Sequence, residues 1–183
     1  GYATLQNDYM ESIWNVFKKI WDKEMVYQGH KAMQICPRCE TPLANFEVSQ
    51  GYKDVTDLAV TIKFELVDEP GTFFLAWTTT PWSAASVTGL AIGPKIEYVK
   101  VKTPDGFYIL AKNLVEKVFH GTDIAYEIVA ELKAQDIVGK KYKHVFDYYN
   151  ERDEVKNSPN AFTTVFTDYV LDTDGTGIVT ING

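Results

Sequence analysis

Thr72-Phe-Phe-Leu-Ala-Trp-Thr-Thr79, running on into Thr80-Pro-Trp82, is the stretch whose reading decides the fold. From Thr72 to Trp77 the side chains are almost continuously apolar. A run this short, closed by a proline, reads as a strand buried on both faces. Just upstream, Val60, Ile62, Phe64 and Leu66 alternate with Thr61, Lys63 and Glu65, the period-two pattern of a strand with one buried face. Asp68-Glu-Pro-Gly71 between the two runs has the composition of a hairpin turn.

Outward from this pair, Tyr98 to Lys102 and Phe107 to Leu110 flank Thr103-Pro-Asp-Gly106, a second hairpin signal. Lys112 to Phe119 reads as a short helix stopped by His120-Gly121. Further strands are expected near residues 124–132 and 177–181, with Thr173-Asp-Gly-Thr176 turning between the last extended runs. Toward the N-terminus, Met10, Ile13, Trp14, Phe17, Ile20 and Trp21 recur at helical spacing. This predicts one amphipathic helix over 7–25, capped by Asn7 or Asp8 and burying its apolar stripe. The balance predicts an α+β domain, mostly β, closed or barrel-like, with peripheral helices. No internal repeat or low-complexity tract interrupts it.

The composition supports a packed core: of 183 residues, 45% are apolar, 14% aromatic and 23% charged. No apolar run approaches the roughly 20 residues that cross a bilayer, and the start lacks a signal-peptide pattern. Gly1, with no Met before it, reads as a cloning remnant. Two cysteines cannot build a disulfide framework, which fits a reducing cytoplasm. A net charge of −7 argues against a protein that grips nucleic acid unaided. The densest basic group, Lys140, Lys141 and Lys143 with His144, reads as a solvated turn, with phosphate contact as the alternative. A nucleic-acid substrate would have to be delivered by something else.

Candidate chemistry is sparse. Thr78, Thr79 and Thr80 gather hydroxyls where a buried strand ends, and hydroxyls both donate and accept, so they suit a water or a ribose hydroxyl; read alone, they are a weak signal, and a β-rich edge strand is the preferred reading. Cys36 and Cys39 have the spacing of half a zinc site. Completing it needs His30, His120 or His144 brought close, and a reduced pair on a hairpin knuckle is preferred; no metal and no cofactor is expected. Asp172-Thr-Asp174-Gly175 lacks the later ligands of a calcium loop and reads as a β-turn. Asp147, Asp153 and Asp168 read as surface carboxylates rather than a hydrolytic acid or base, and no nucleophilic triad is recognisable.

Taken with its neighbours, Leu75-Ala-Trp-Thr-Thr-Thr-Pro-Trp82 resembles the threonine-rich peptide of the isoleucyl-tRNA synthetase editing (connective-polypeptide) domain; valyl and leucyl relatives typically carry Thr-Thr-Arg-Pro there. Asn7-Asp-Tyr-Met-Glu-Ser12, Cys36-Pro-Arg-Cys39, Gly51-Tyr-Lys-Asp-Val55, Gly139-Lys-Lys-Tyr142 and Asp174-Gly-Thr-Gly-Ile-Val179 resemble other segments of that family in order and spacing. The resemblance implies an N-terminal helix and hairpin, residues 1–50, leading to a catalytic core outside this chain. Residues 51–183 would form a C-terminally truncated editing domain. It implies an aminoacyl-tRNA hydrolase acting on valyl-tRNA(Ile) by water attack on the ester, with Thr78, Thr79 and Thr80 as catalytic positions. Trp77 and Trp82 would wall the pocket, and Ser83, Val87 and Thr180 would also face substrate. The implied partners are the 3′ end of aminoacylated tRNA and the parent synthetase's core, in a cytoplasmic monomer.

The chain departs from the family pattern at three places. Val87 stands where the family carries asparagine, and Thr180 where it carries histidine. The aspartate that holds the substrate's amino group would lie past Gly183. Ala85 replaces a proline and predicts a looser loop. These departures imply impaired hydrolysis, or a non-catalytic or engineered scaffold that binds a small amino acid or adenosine analogue without turnover.

Overall fold

The computed structural model describes residues 3–149 and 152–183; Gly1 lies outside them. The chain divides into two compact units, Gly1–Val55 and Thr56–Gly183.

In the first unit, helix α1 spans Asn7–Trp21, shorter than the sequence pattern predicts. Its N-cap is Gln6, with no side-chain cap bond, so Asn7 and Asp8 lie inside the helix instead of capping it. Asp8 in the first turn still complements the positive end of the helix dipole. The helix is amphipathic as expected, but its stripe is not buried: no residue of α1 is buried, and Trp14 is 69% exposed. A second helix, α2 (Asn45–Gln50), starts where the Glu47 carboxylate accepts the Ala44 N–H at 2.8 Å.

The second unit holds two sheets. Strands β1 (Val60–Glu65), β2 (Thr72–Thr78), β3 (Val87–Ile92), β4 (Glu97–Thr103) and β5 (Gly106–Ala111) precede helix α3 (Val115–Phe119). Strand β6 (Glu127–Lys133), helices α4 (Ala134–Ile137) and α5 (Asp153–Lys156), and strands β7 (Thr163–Phe166) and β8 (Ile178–Asn182) follow. One sheet has the order β1-β2-β5-β4-β6 and the other β7-β3-β8. Both sequence-predicted hairpins form: β1 pairs antiparallel with β2, and β4 with β5. Strand β2 also pairs parallel with β5, so it has a neighbour on each side.

The alternation of β2 feeds two cores. Phe74 and Ala76 point into a cluster shared with Phe64, Tyr98 and Ile109 of the same sheet and with Val87, Leu90, Ile92 and Ile178 of the other. Leu75 points the opposite way, toward Val99, Val101, Leu110, and Val115 and Phe119 of α3. The domain is α+β with more strand than helix, as its sequence predicts. Among the described residues the sheets do not close into a barrel: they face each other across the shared core, joined at one side by residues 140–143. There Leu66 bridges to Tyr142 and Lys141 to Thr163. The lysine-rich stretch, read as a solvated turn, is thus a backbone stitch between the two sheets.

One buried hydroxyl sets the position of β8. Tyr98, fully buried, accepts the Gly93 N–H at 2.9 Å and donates to the Gly177 carbonyl at 2.9 Å. Gly177 has φ +72°, and a Cβ there would lie 2.4 Å from the Cβ of Ala111, so only glycine fits. Burial pushes the Tyr98 phenol up to about 12. Tyr98→Phe is expected to cost about 1–3 kcal/mol, since it orphans a buried N–H and C=O; Gly177→Ala is expected to cost more. The unfolded chain loses the phenolic proton near its ordinary value while the native state keeps it. Stability should therefore fall as pH rises above about 10, and less steeply in Tyr98→Phe. Urea unfolding of the three proteins at several alkaline pH values measures both effects.

Candidate functional site

Strand β2 ends at Thr78, and the chain turns at once into a 3-10 helix, Pro81–Ser86. Proline suits the first position of such a turn because its φ is already set and no N–H is needed there. The turn draws several hydroxyls together. The Thr80 N–H donates to Thr78 Oγ1 at 3.1 Å, and the Thr78 and Thr80 hydroxyls lie 3.1 Å apart. Thr80 Oγ1 is 3.1 Å from Ser83 Oγ, which donates to the Thr80 carbonyl at 2.6 Å.

These contacts fix the proton order. Ser83 spends its one hydrogen on the carbonyl, so Thr80 donates to Ser83 and Thr78 donates to Thr80. The chain of hydroxyls therefore presents lone pairs, not protons, to anything that meets it. Thr79 is exposed and makes no hydrogen bond with the described residues, so its hydroxyl keeps a proton to give. The loop is tied to β8: the single Ser86 hydroxyl hydrogen is shared between the Ser83 carbonyl at 3.1 Å and the Asn182 side-chain oxygen at 3.2 Å, and the Gly183 N–H donates to the Ser86 carbonyl at 3.0 Å. Where a looser loop is expected from Ala85, the chain forms this 3-10 turn with Ala84 buried beneath it.

The remaining predicted positions do not all converge. Thr180 is half-buried and shares a face of β8 with buried Ile178, the face turned toward the core that Ala76 also fills, which is the side of Thr78. Three placements differ from the resemblance. Val87 is fully buried in the shared core, so its side chain packs and does not line an opening. Trp82 is 73% exposed, standing off the turn into solvent. Trp77 follows Leu75 onto the opposite face of β2 from Thr78, because successive side chains of a strand alternate.

On that opposite face Trp77 walls a cleft of about 310 Å³, together with Thr61, Val118 of α3, and Gly175. Lys117 and Asp174 pair at 2.6 Å across its mouth. The Lys117 ammonium, then the Gly175 N–H at 2.8 Å, hold the Asp174 carboxyl below its ordinary value. Asp172 accepts from the Asn113 side chain at 2.7 Å. The two aspartates read as a turn thus brace it, Asp174 against α3 and Asp172 against the 3-10 turn that leads into α3. Sequence reasoning missed this cleft, although the alternation of β2 already separates Trp77 from Thr78.

Of the other candidates, Lys140 pairs with Asp68, and Lys143 with Glu65 at 2.7 Å. Each lysine holds its carboxylate partner below the ordinary range. Two of the three lysines are therefore already neutralised. Among the described residues no three His, Cys, Asp or Glu side chains gather as a metal site. Asp153 and Asp168 are exposed. Cys36 and Cys39 sit on a knuckle closed by the Cys36 N–H to Thr41 carbonyl bond at 3.0 Å.

The family model for class I tRNA synthetases (I, L, M and V) matches residues 1–158, and the chain belongs to that family. Within it, the isoleucine–tRNA ligase of Clostridium tetani is 44% identical over 178 residues, 97% of this chain. The cytoplasmic isoleucine–tRNA ligase of Mus musculus is 41% identical over 181 residues, also 97% of this chain. The chain spans 16% of the length of the first relative and 14% of the second. The crystal structure of GlLeuRS-CP1 matches with a TM-score of 0.54 at 16% identity, over 67% of this chain and 54% of that one. The fold is that of the CP1 editing domains.

The knuckle carries a testable property. A hydrogen bond from Thr41, with Sγ 3.2 Å from its hydroxyl, and a second from Cys36 lower the Cys39 thiol below its ordinary value. Alkylation of Cys39 is expected to reach half its maximal rate at a lower pH than a free thiol, and Thr41→Val to move that midpoint up. Cleavage after Arg38 separates the two cysteines for peptide mass analysis; superimposable profiles would refute the assignment.

Proposed function

We propose that the threonine turn holds the aminoacylated end of a tRNA and promotes hydrolysis of its ester, the substrate being valyl-tRNA(Ile). The observation that carries this reading is the ordered hydroxyl chain Thr78–Thr80–Ser83 beside an unengaged Thr79. Ester hydrolysis adds water to the carbonyl carbon, breaks the bond to the ribose oxygen and returns a proton to that oxygen. The lone pairs of Thr78 and Thr80 orient water or ribose hydroxyls, and Thr79 donates to oxygen as charge develops on it. A second site of this kind answers the weak discrimination that one methylene gives an apolar pocket, isoleucine against valine being a standard instance.

Kinship with isoleucine–tRNA ligases supports the substrate. The uncovered apolar stripe of α1 supports a parent enzyme whose core packs against it. No described helix is long and apolar enough to cross a membrane, and the name of the mouse relative supports a cytoplasmic site of action. A second reading is favoured by Val87 in the core and by Thr180 where the family carries histidine. In this reading the pocket binds a small amino acid or an adenosine analogue without turnover.

Deacylation of valyl-tRNA(Ile) by the chain separates the readings. Thr80→Ala removes the central hydroxyl, and a loss of roughly 10- to 100-fold in rate is expected from lost positioning. Saturable adenosine binding with no turnover above background selects the binding reading. Absence of both refutes both.

A further inference from the structure

We infer that Asn182 is a site of spontaneous deamidation, and that its conversion frees the threonine turn from β8. Of the asparagines in the chain, only Asn182 is followed by glycine. A backbone nitrogen can attack the side-chain amide of the residue before it, and a side chain on the attacking residue hinders that approach. Gly183 has none, and its backbone is free to rotate into the ring-closing conformation. Asn182 is exposed and is the last residue of β8. In the reaction the Gly183 nitrogen bonds to Asn182 Cγ and gives up its proton. The Cγ–Nδ2 bond breaks, and ammonia leaves with that proton. Water then opens the cyclic imide at either carbonyl, yielding aspartate or isoaspartate. No reactant other than water is required.

The fold sets both the rate of this reaction and its consequence. One residue engages both reacting groups. The Ser86 hydroxyl, its hydrogen shared with the Ser83 carbonyl, meets Asn182 Oδ1 at 3.2 Å, and the Gly183 N–H donates to the Ser86 carbonyl at 3.0 Å. The extended backbone of a strand also turns the following nitrogen away from the side chain. Ring closure therefore proceeds from a local opening in which the end of β8 lifts off Ser86. That opening breaks contacts at an exposed rim and leaves the buried start of the strand, Ile178 against Ile92, in place. Openings of this kind lie at the low-energy end of native fluctuations. Isoaspartate routes the main chain through the former side-chain carbon and lengthens it by a methylene. With β8 in register, the Gly183 N–H then no longer meets the Ser86 carbonyl. The Ser86 hydroxyl returns to the Ser83 carbonyl alone, and the 3-10 turn, Pro81–Ser86, loses these ties to the strand.

The test incubates the whole chain at neutral pH, folded and in urea, and follows each asparagine by peptide mass analysis after tryptic cleavage. Asn182 is expected to convert faster than Asn157 and Asn160, which share its tryptic peptide. Its conversion should be roughly 10- to 100-fold slower in the folded chain than in urea. Ser86→Ala should speed the folded-state reaction roughly 2- to 10-fold and leave the rate in urea unchanged. Anion exchange isolates the deamidated chain by its added negative charge, isoaspartate being the expected major product. In that chain the Ser83 N–H, bonded to the Thr80 carbonyl at 2.9 Å, should exchange with solvent faster than in the starting protein. Conversion of Asn157 or Asn160 as fast as Asn182, or equal Asn182 rates in the folded and unfolded chain, overturns the site and its control by Ser86. An unchanged Ser83 exchange rate overturns the release of the turn. Measurement of the wild-type product keeps the proposal testable if Ser86→Ala fails to fold.

Discussion

The rest of the domain depends on the burial of β2 on both faces and on the abruptness with which that burial stops. A buried strand must satisfy its backbone groups within the fold; β2 pairs with β1 from Phe73 to Thr78 and, from Thr72 to Phe74, with β5 on its other side. Its side chains then serve two cores at once, Phe74 and Ala76 on one face and Leu75 on the other. Pairing with β1 ends at Val60 opposite Thr78. Beyond that point the sequence offers three hydroxyls and a proline that cannot donate to a ladder. The chain has to leave the sheet there, and it leaves with its hydroxyls at the rim.

Precision at that rim comes from the other sheet. Asn182 reaches the threonine turn because β8 is held in one register, with Ile178 opposite Ile92. The start of β8 is pinned by Tyr98, whose hydroxyl joins Gly93, just past β3, to Gly177, just before β8. A buried phenol raised to about 12 stays a donor throughout the neutral range. Gly177 allows β8 to run close against Ala111 of β5. Ser86 and Asn182 then fasten the turn to the strand at 3.2 Å. The geometry of the hydroxyl cluster is thus inherited from core packing two strands away.

How much of this was legible in the sequence follows from which signals are local. The period-two run at Val60–Leu66, the apolar run after Thr72 and the two Gly-closed turns each carry their structure within a few residues, and all appear as read. Helix α1 was legible in phase but not in burial, since periodicity reports which side is apolar and not whether anything covers it. Strands β3 and β7 were not read at all. Val87-Thr-Gly-Leu-Ala-Ile92 is interrupted by glycine, and Thr163-Thr-Val-Phe166 is short and half polar; each is a strand because of its partner. Closure of the sheets was overestimated, because strand content says nothing about whether edges meet. In the candidate site, the threonine turn was legible from Thr-Thr-Thr-Pro. The resemblance placed Trp77 and Val87 with it, whereas alternation sends Trp77 to the far face and packing takes Val87 into the core.

A site made of hydroxyls has consequences that a carboxylate or histidine site would not. Nothing in the Thr78–Thr80–Ser83 chain titrates near neutrality, so it cannot serve as a conventional general base. The cluster orders lone pairs and leaves the proton of Thr79 as the donor. On the proposed reading, rate enhancement then comes from holding water and ester in register, and the proton released on attack must leave through the substrate's own ribose or through solvent. Such a site depends on position more than on charge. That makes the fastening of the turn to β8 as consequential as the hydroxyls themselves, and it relieves the domain of any need for a basic surface. On the proposed reading, the negative net charge and the pairing of Lys140 and Lys143 with carboxylates fit a domain that receives its polyanionic substrate from elsewhere and only places the end of it with a neutral rim.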